Sequence, residues 1–213
     1  MRLAAVLPLF LALPGPAAAL DPSAVLSSVR KAYTASPSFT AGFVQTYVPA
    51  GFAPASPEKG RVTMAAPDRI RFDYEGKEGK LFAFDGTAAR QYVAADRQLV
   101  VRTLTSEEKQ RLPLLFFESP EALLRRFTAT AAPGEEGLTN VALTPRSGGE
   151  PARLDLAVAA SGEVRRLAVT DLAGNRTTFT FAGLAAAGKL PHAEFAPAPP
   201  PGTKVISDGK ERR

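Results

Sequence analysis

Two acidic residues, Asp73 and Glu75, stand two positions apart in a segment that alternates like a β-strand. Side chains two positions apart on a strand point to the same face. The two carboxyl groups would therefore lie side by side, as in the acid and base pair of a glycoside hydrolase. Apolar residues such as Phe72 and Tyr74 alternate with them, so the carboxylates fall on the face opposite the apolar one. We expect solvated surface charge, and rank a small hydrolase acting near Asp73 or Asp155 last among the possible functions.

Other residue types that perform chemistry are scarce in this chain. It has no cysteine, which excludes disulfides, thiolate catalysis and cysteine-bound zinc. Because it has only one histidine, His192, a multi-histidine metal site is excluded. We expect His192 to be an exposed loop residue. The serine turn at 146–149 lacks the G-x-S-x-G pattern, and no glycine-rich phosphate-binding motif occurs. From the sequence we therefore predict that the protein is not an enzyme and binds no cofactor or metal.

The charge of the chain does not indicate a particular kind of partner. The formal net charge is +5, and the basic residues are scattered through the chain. Arg61, Arg69 and Arg71 fall on alternating strand positions, without the interleaved aromatic residues of a nucleic-acid motif. We expect no nucleic-acid partner. A solvated surface is the simpler interpretation, and attraction to acidic proteins or lipid headgroups is the alternative.

The first 19 residues have the organisation of a secretory signal peptide. A basic start at Met1 and Arg2 precedes an apolar run at 3–13, a Pro-Gly-Pro break at 14–16 and an A-x-A site at 17–19. A short buried helix is the alternative. We expect residues 1–19 to be removed, and residues 20–213 to form a single exported domain that is periplasmic or secreted. No later stretch has the roughly 18 apolar residues of a membrane span.

The hydrophobic pattern of the remaining chain is mainly that of an antiparallel sheet. Residues 22–33 have helical spacing, with Asp21 as N-cap and Pro22 at the first position. Alternating segments separated by turn signals then predict strands at 39–47, 61–64, 69–74, 81–84, 89–94, 98–103, 138–143, 153–158, 164–170 and 177–181. Residues 105–127 predict one or two short helices, and the proline-rich tail at 195–202 predicts an extended segment along the surface.

These elements predict an α+β fold that is mainly β. A sheet of about ten to eleven strands curls, closes or splits, and its apolar face needs cover. The short helices are the available cover. We therefore predict an unclosed antiparallel β-barrel, curved and incomplete, with helices over its mouth.

Large apolar side chains are the distinctive feature of the predicted concave face. They form either an ordinary packed core or a cavity that accepts lipid between the sheet and the helices, and composition alone does not separate the two. The candidate cavity residues are Val29, Phe43, Val62, Met64, Ile70, Phe72, Phe84, Leu114, Phe116 and Phe117.

Several sequence motifs, taken in order, resemble those of the LolA family of periplasmic outer-membrane lipoprotein carriers. The segment SFTAGFVQT at 38–46 is similar to the family's S-F-x-A-x-F-x-Q, and APDRIRFDY at 66–74 is similar to its P-x-x-[FI]-R-W-x-Y. FDGT at 84–87, LTP at 143–145, and the tail at 195–206 with its proline run and Val205-Ile206 also match. Their order and spacing extend over essentially the whole chain after residue 24.

The resemblance implies a function without catalysis. A LolA-like protein holds the acyl chains of lipoproteins in an apolar cavity of an unclosed barrel with a helical lid. It receives them from the inner-membrane ABC transporter LolCDE and delivers them to the outer-membrane acceptor LolB, where one is present. By this resemblance we expect a monomer whose lid is the segment Pro113, Leu114, Leu115, Phe116 and Phe117.

Two positions depart from the family pattern. The family often has an arginine that helps to hold the lid closed, and Ala66 stands at that position here. Either Arg69 or Arg71 replaces it, or lid closure depends on packing alone. Phe72 stands where the family has tryptophan, which keeps the face apolar. The alternative function is a half-barrel envelope module that binds a different lipid or a partner protein and is not dedicated to lipoproteins.

Overall fold

The computed structural model describes residues 20–76, 79–109, 114–207 and the backbone of 210–212. The predicted signal peptide at 1–19 lies outside the described residues, and so does Pro113 of the predicted lid.

The chain enters the fold through helix α1, Pro22–Thr34, where the sequence predicts it. The Asp21 carboxylate accepts a hydrogen bond of 2.9 Å from the Ser23 backbone N–H, which caps the helix. Leu26, Val29 and Tyr33 lie on one helical face and are buried. The helix therefore presents an apolar stripe to the sheet.

The described strands form one sheet. Its order is β13-β12-β6-β5-β4-β3-β2-β1-β11-β10-β9-β8-β7, with all neighbours antiparallel except β12 and β6. Strands β13 and β7 are its two edges, so the barrel is unclosed, as predicted. The strands are β1 Ser38–Val48, β2 Glu58–Ala65, β3 Arg69–Tyr74, β4 Lys80–Phe84, β5 Ala88–Val93, β6 Gln98–Thr103, β7 Phe127–Pro133, β8 Thr139–Pro145, β9 Arg153–Val158, β10 Val164–Thr170, β11 Arg176–Ala186, β12 Lys204–Ser207 and β13 Lys210–Arg212.

Three of these strands, β7, β12 and β13, go beyond those predicted from the sequence. Strand β7 reads FTATAAP, which offers few large apolar residues for alternation, and it follows the preceding helix without a turn residue. Strand β12 forms by parallel pairing with β6, a partner far away in the sequence. A period-two pattern of large apolar residues therefore does not find β7, and the pairing that forms β12 is not a local signal.

The register of the strands places the large apolar side chains on one face. Val62 pairs with Phe72, and Ile70 pairs with both Met64 and Phe84. Across the other half of the sheet, Phe43 pairs with Phe181. These residues belong to one buried cluster that also contains residues of β7 to β10, so the sheet curves around a shared interior. We call this face the concave face.

The segment between β6 and β7 supplies further cover. It contains helix α2, Ser106–Lys109, a 3-10 turn at Leu115–Phe117 and helix α3, Pro120–Arg126. The Ser119 hydroxyl accepts a 3.1 Å hydrogen bond from the Ala122 backbone N–H, which is the N-cap expected before a proline at the first helical position. The 3-10 turn and α3 both contact α1.

The tail crosses the opposite, convex face and is more deeply anchored than its composition predicts. Phe195 is fully buried, with the Arg69 guanidinium 5.0 Å from the centre of its ring. The Arg71 guanidinium donates a 3.0 Å hydrogen bond to the Glu194 carbonyl and lies 3.4 Å from its carboxylate. The prediction of a tail lying along the surface is therefore wrong at Phe195, because two arginines of β3 hold this part of the tail on the sheet.

We predict that Phe195→Ala destabilises the protein by about 3–5 kcal/mol, since it removes a fully buried aromatic side chain. Phe52→Ala is the matched control: Phe52 is 76% exposed, and its loss should change the free energy of unfolding by no more than about 0.5 kcal/mol. Urea unfolding followed by circular dichroism measures both variants. Equal stability of the two would contradict the anchoring of the tail.

Candidate functional site

The structure brings all the candidate cavity residues together in one buried cluster. Each is at most 9% exposed, and together they join α1, four strands of the sheet and the segment at 114–117. In this state they pack against one another. The set comprises Val29, Phe43, Val62, Met64, Ile70, Phe72, Phe84, Leu114, Phe116 and Phe117.

A stack of aromatic rings joins the helical cover to the sheet. Tyr33 of α1 stacks on Phe116 with ring centres 4.8 Å apart, and meets the edge of Phe117 at 6.3 Å. Phe116 in turn makes an edge-to-face contact with Phe181 of β11 at 6.1 Å. Burial raises the pKa of the Tyr33 phenol, which keeps the ring neutral inside this layer. We call Tyr33, Phe116 and Phe117 the aromatic roof.

The floor beneath the roof is also aromatic. Phe43 makes edge-to-face contacts with Phe72 and Tyr74, each with ring centres 5.1 Å apart. Phe72 also lies 5.3 Å from Phe179, which stacks on Phe181 at 6.1 Å. Aromatic pairs at these spacings add stabilisation beyond the burial of their area.

The floor becomes more exposed toward one end. Tyr74, Phe82 and Phe179 are only partly buried, although they continue the rows of Phe72, Phe84 and Phe181 on the concave face. We call these three residues the aromatic mouth. Phe82 and Phe179 were not among the predicted cavity residues. Each is nevertheless followed, two positions further on, by a buried phenylalanine, Phe84 or Phe181. The period-two pattern was the signal that could have found them.

A cavity of about 250 Å³ lies beside the mouth. This volume is below the roughly 300–1,000 Å³ of typical ligand sites, and we call this arrangement of the cover over the concave face the closed state. The cavity wall combines apolar side chains with polar and charged ones at its edge. The lining residues are Phe82, Ala89, Gln91, Val100, Arg102, Leu104 and Glu108.

Polar contacts fasten α2 at the edge of this cavity. The Arg102 guanidinium of β6 is 2.8 Å from the Glu108 carboxylate of α2. Lys109 donates a 2.9 Å hydrogen bond to the Gly86 carbonyl, and its ammonium group lies 5.7 Å from the centre of the Phe84 ring. These contacts connect α2 to two different parts of the sheet, and the sequence analysis did not anticipate them.

The arginines nominated for lid closure lie on the other face of the sheet. Arg69 and Arg71 contact the tail, as described above, and Arg69 also donates a long 3.4 Å hydrogen bond to the Ala66 carbonyl. Ala66 itself packs against the buried cluster. The structure therefore separates these arginines from the segment at 114–117, whose described contacts are aromatic.

A polar rim borders the aromatic mouth. The Tyr74 hydroxyl donates a 2.6 Å hydrogen bond to the Gln45 side-chain oxygen, and the Lys80 ammonium group lies 4.7 Å above the Tyr74 ring. Lys80 also pairs with Glu58. Burial, with a smaller contribution from the Glu58 charge, raises the pKa of Tyr74 to about 12, so its hydroxyl stays protonated well above neutral pH.

The carboxylates considered for catalysis are engaged in surface ion pairs. Asp73 binds Arg71 at 2.7 Å, and Glu75 lies 3.3 Å from Lys59. Asp155 pairs with two arginines of the convex face. His192 is 65% exposed, as predicted. In the part of the chain that the structure describes, no group of three acidic, histidine or cysteine residues is placed to hold a metal ion.

The fold and the site define a half-barrel that closes over an apolar interior. The family profile described as "Outer membrane lipoprotein carrier protein LolA" matches residues 34–198, and the chain belongs to this family. Among the described residues, no helix is both long enough and apolar enough to cross a membrane.

Individual relatives agree with this assignment. The outer-membrane lipoprotein carrier protein of Xanthomonas oryzae pv. oryzae is 29% identical over 153 residues, covering 70% of this chain and 72% of the relative. That of Xanthomonas axonopodis pv. citri is 29% identical over 155 residues, covering 71% and 73%. An uncharacterized conserved protein of Thermus thermophilus has a TM-score of 0.53 at 13% identity over 86% of this chain and 97% of its own, which shows a shared fold.

We predict that Arg102→Met loosens α2 and raises the affinity for a fluorescent fatty-acid analogue by about two- to five-fold. A partly exposed ion pair is worth about 0.5–1 kcal/mol, and any weakening of the closed state increases apparent affinity by the same factor. Arg153→Met, which breaks a comparable pair on the convex face, is the control and should leave the affinity unchanged. Equal affinities for Arg102→Met and the wild type would show that α2 does not restrict access.

Proposed function

We propose that this protein carries the acyl chains of lipoproteins through the periplasm. In this proposal it receives lipoproteins released from the inner membrane by LolCDE and delivers them to the outer membrane, to LolB where that acceptor is present. The observation that carries the proposal is the continuous aromatic surface on the concave face, from the buried roof to the partly exposed mouth, in a chain of the LolA family.

The energetics explain why such a carrier is needed. Each CH₂ group of an acyl chain costs about 0.8 kcal/mol to expose to water. A chain of about 16 carbons therefore resists leaving a membrane by roughly 12 kcal/mol, and a lipoprotein with two or three chains resists more. The concave face offers apolar surface in exchange, in a protein that remains in water.

Binding requires the closed state to open. The cavity of about 250 Å³ is too small for several acyl chains, so the cover must separate from the floor. We propose that α2 and the segment at 114–117 move together as the lid, with Tyr33 releasing Phe116. The nominated cavity residues would then contact acyl chains directly. The roof's own packing competes with cargo, which lowers net affinity and favours transfer to a tighter acceptor.

The remaining parts of the proposal concern the whole chain. We propose that residues 1–19 direct export and are removed, and that residues 20–213 act as one domain and as a monomer. No catalytic step belongs to this function: the protein binds, shields and releases its cargo.

We predict that Phe82→Glu and Phe179→Glu abolish the release of lipoproteins from spheroplasts, because each places a charge on the surface that an acyl chain must cover. Both residues are partly exposed, so the folded state should tolerate the change. Phe72→Glu and Phe116→Glu would be weaker tests of acyl-chain binding. Both side chains are almost fully buried, so the introduced charge would unfold the protein.

Val44→Glu is the matched control, because Val44 is an exposed apolar residue on the convex face of β1. The Val44→Glu variant should support the normal release of lipoproteins from spheroplasts. Normal release by folded Phe82→Glu and Phe179→Glu would contradict the proposal. Mass spectrometry of ligands that co-purify with the wild type distinguishes lipoprotein acyl chains from the glycolipid or protein partner expected of an envelope-binding module.

A further inference from the structure

Two large apolar side chains stand almost fully in solvent at one end of the half-barrel. Phe52 is 76% exposed in the loop between β1 and β2, and Leu172 is 65% exposed in the turn between β10 and β11. The two loops are neighbours, since the Ala50 backbone N–H donates a 3.0 Å hydrogen bond to the Asn175 side-chain oxygen. We call the loop at 49–57 and the turn at 171–175 the apolar tip.

Defined hydrogen bonds shape both loops of the tip. In the first loop, Phe52 N–H donates to the Pro49 carbonyl at 3.1 Å, and Ala55 N–H donates to the Tyr47 carbonyl at 2.8 Å. In the second, the Asp171 carboxylate accepts hydrogen bonds from the Asn175 backbone at 2.8 Å and from its side-chain amide at 2.7 Å. The two apolar side chains therefore project from ordered turns, where they find no protein surface to cover them.

The apolar tip is almost free of charge. The loop at 49–57 contains no ionisable side chain, and Asp171, the one charged residue of the turn at 171–175, is engaged with Asn175. At the base of the tip, Lys59 pairs with Glu75 and Lys80 pairs with Glu58. A partner recognised through this surface is therefore selected by its apolar character and not by its net charge.

The tip lies at the same end of the sheet as the aromatic mouth. Along the concave side of β1, exposure rises from 3% at Phe43 to 41% at Tyr47, and the chain then continues to Phe52 at 76%. Between Phe43 and Tyr47, Gln45 accepts the hydrogen bond from Tyr74 of the mouth. Apolar surface thus continues from the buried floor, past the mouth, to the tip.

We propose that the apolar tip docks on the surface of a phospholipid bilayer with zwitterionic headgroups, placing the mouth beside the lipid while cargo enters or leaves. This inference rests on the proposed carrier function. Phe52 and Leu172 are convex projections, and a fluid interface can surround a projection from all sides. Two side chains without basic support give weak, reversible binding, as a single short lipid anchor does. Such binding lets the carrier leave the membrane again.

A single-tryptophan variant reports on the tip directly. The chain has no tryptophan, so Phe52→Trp places the only indole at the tip. Addition of phosphatidylcholine vesicles should shift its emission to the blue, and brominated acyl chains should quench it. Both effects should persist in about 0.5 M NaCl, where electrostatic attraction is screened. Val44→Trp, on the convex face, should show neither effect, and an equal response from both variants would overturn the proposal.

A variant series measures how much the tip contributes to vesicle binding. Phe52→Ala/Leu172→Ala should bind phosphatidylcholine vesicles at least ten-fold more weakly than the wild type in co-sedimentation, while Val44→Ala binds normally. The wild-type level of binding by the double variant would overturn the proposal. If that variant also fails to accept cargo from a donor protein, the tip is a protein-docking site instead.

The same variants separate this inference from the carrier function. Phe52→Ala/Leu172→Ala should retain an acylated lipopeptide in detergent-free solution, because the aromatic mouth and floor are unchanged. If the double variant retains lipopeptide binding and its vesicle binding is unaltered, membrane docking by the tip is rejected and the carrier function is not. Failure of the wild type to bind lipopeptide rejects the carrier function instead.

Discussion

The concave face of the sheet must be kept from water both with and without a bound chain. Its aromatic rings are costly to expose, and a carrier spends part of its time empty. The structure meets this constraint by packing Tyr33 on Phe116 and Phe116 on Phe181, so that the protein covers its own apolar surface. In the proposed function, the same residues pack against one another when the cover is closed and contact the acyl chain when it is open.

The covers of the two faces differ in chemistry, and this difference determines what can move. On the convex face, arginines of β3 and the buried ring of Phe195 hold the tail with hydrogen bonds and burial together. On the concave face, the roof is held by ring contacts, and α2 is held by partly exposed polar contacts. Under the proposed function, apolar contacts of the roof would be exchanged for equivalent contacts with an acyl chain when the cover is displaced.

Local signals in the sequence predicted local features well. The Asp21 cap, helix α1 and the alternation of β3 depend on residues within a few positions of one another, and the structure confirms them. Strand β12 and the burial of Phe195 depend on distant partners, β6 and Arg69, and were missed for that reason. Whether the phenylalanines form a core or a cavity could not be read from composition, because both need the same side chains. In the structure the nominated residues pack as one buried cluster, and in the proposed function they would exchange these contacts for contacts with an acyl chain.

Photo-crosslinking with a triacylated lipopeptide that carries diazirine groups near the ends of its acyl chains tests the central claim most directly. We expect crosslinks to floor and mouth residues of β1, β3, β4 and β11, and we expect unlabelled lipopeptide to compete them away. Examples of these residues are Phe43, Phe72, Phe82 and Phe179. Crosslinks confined to the convex face or the tail, or crosslinks that resist competition, would contradict that claim.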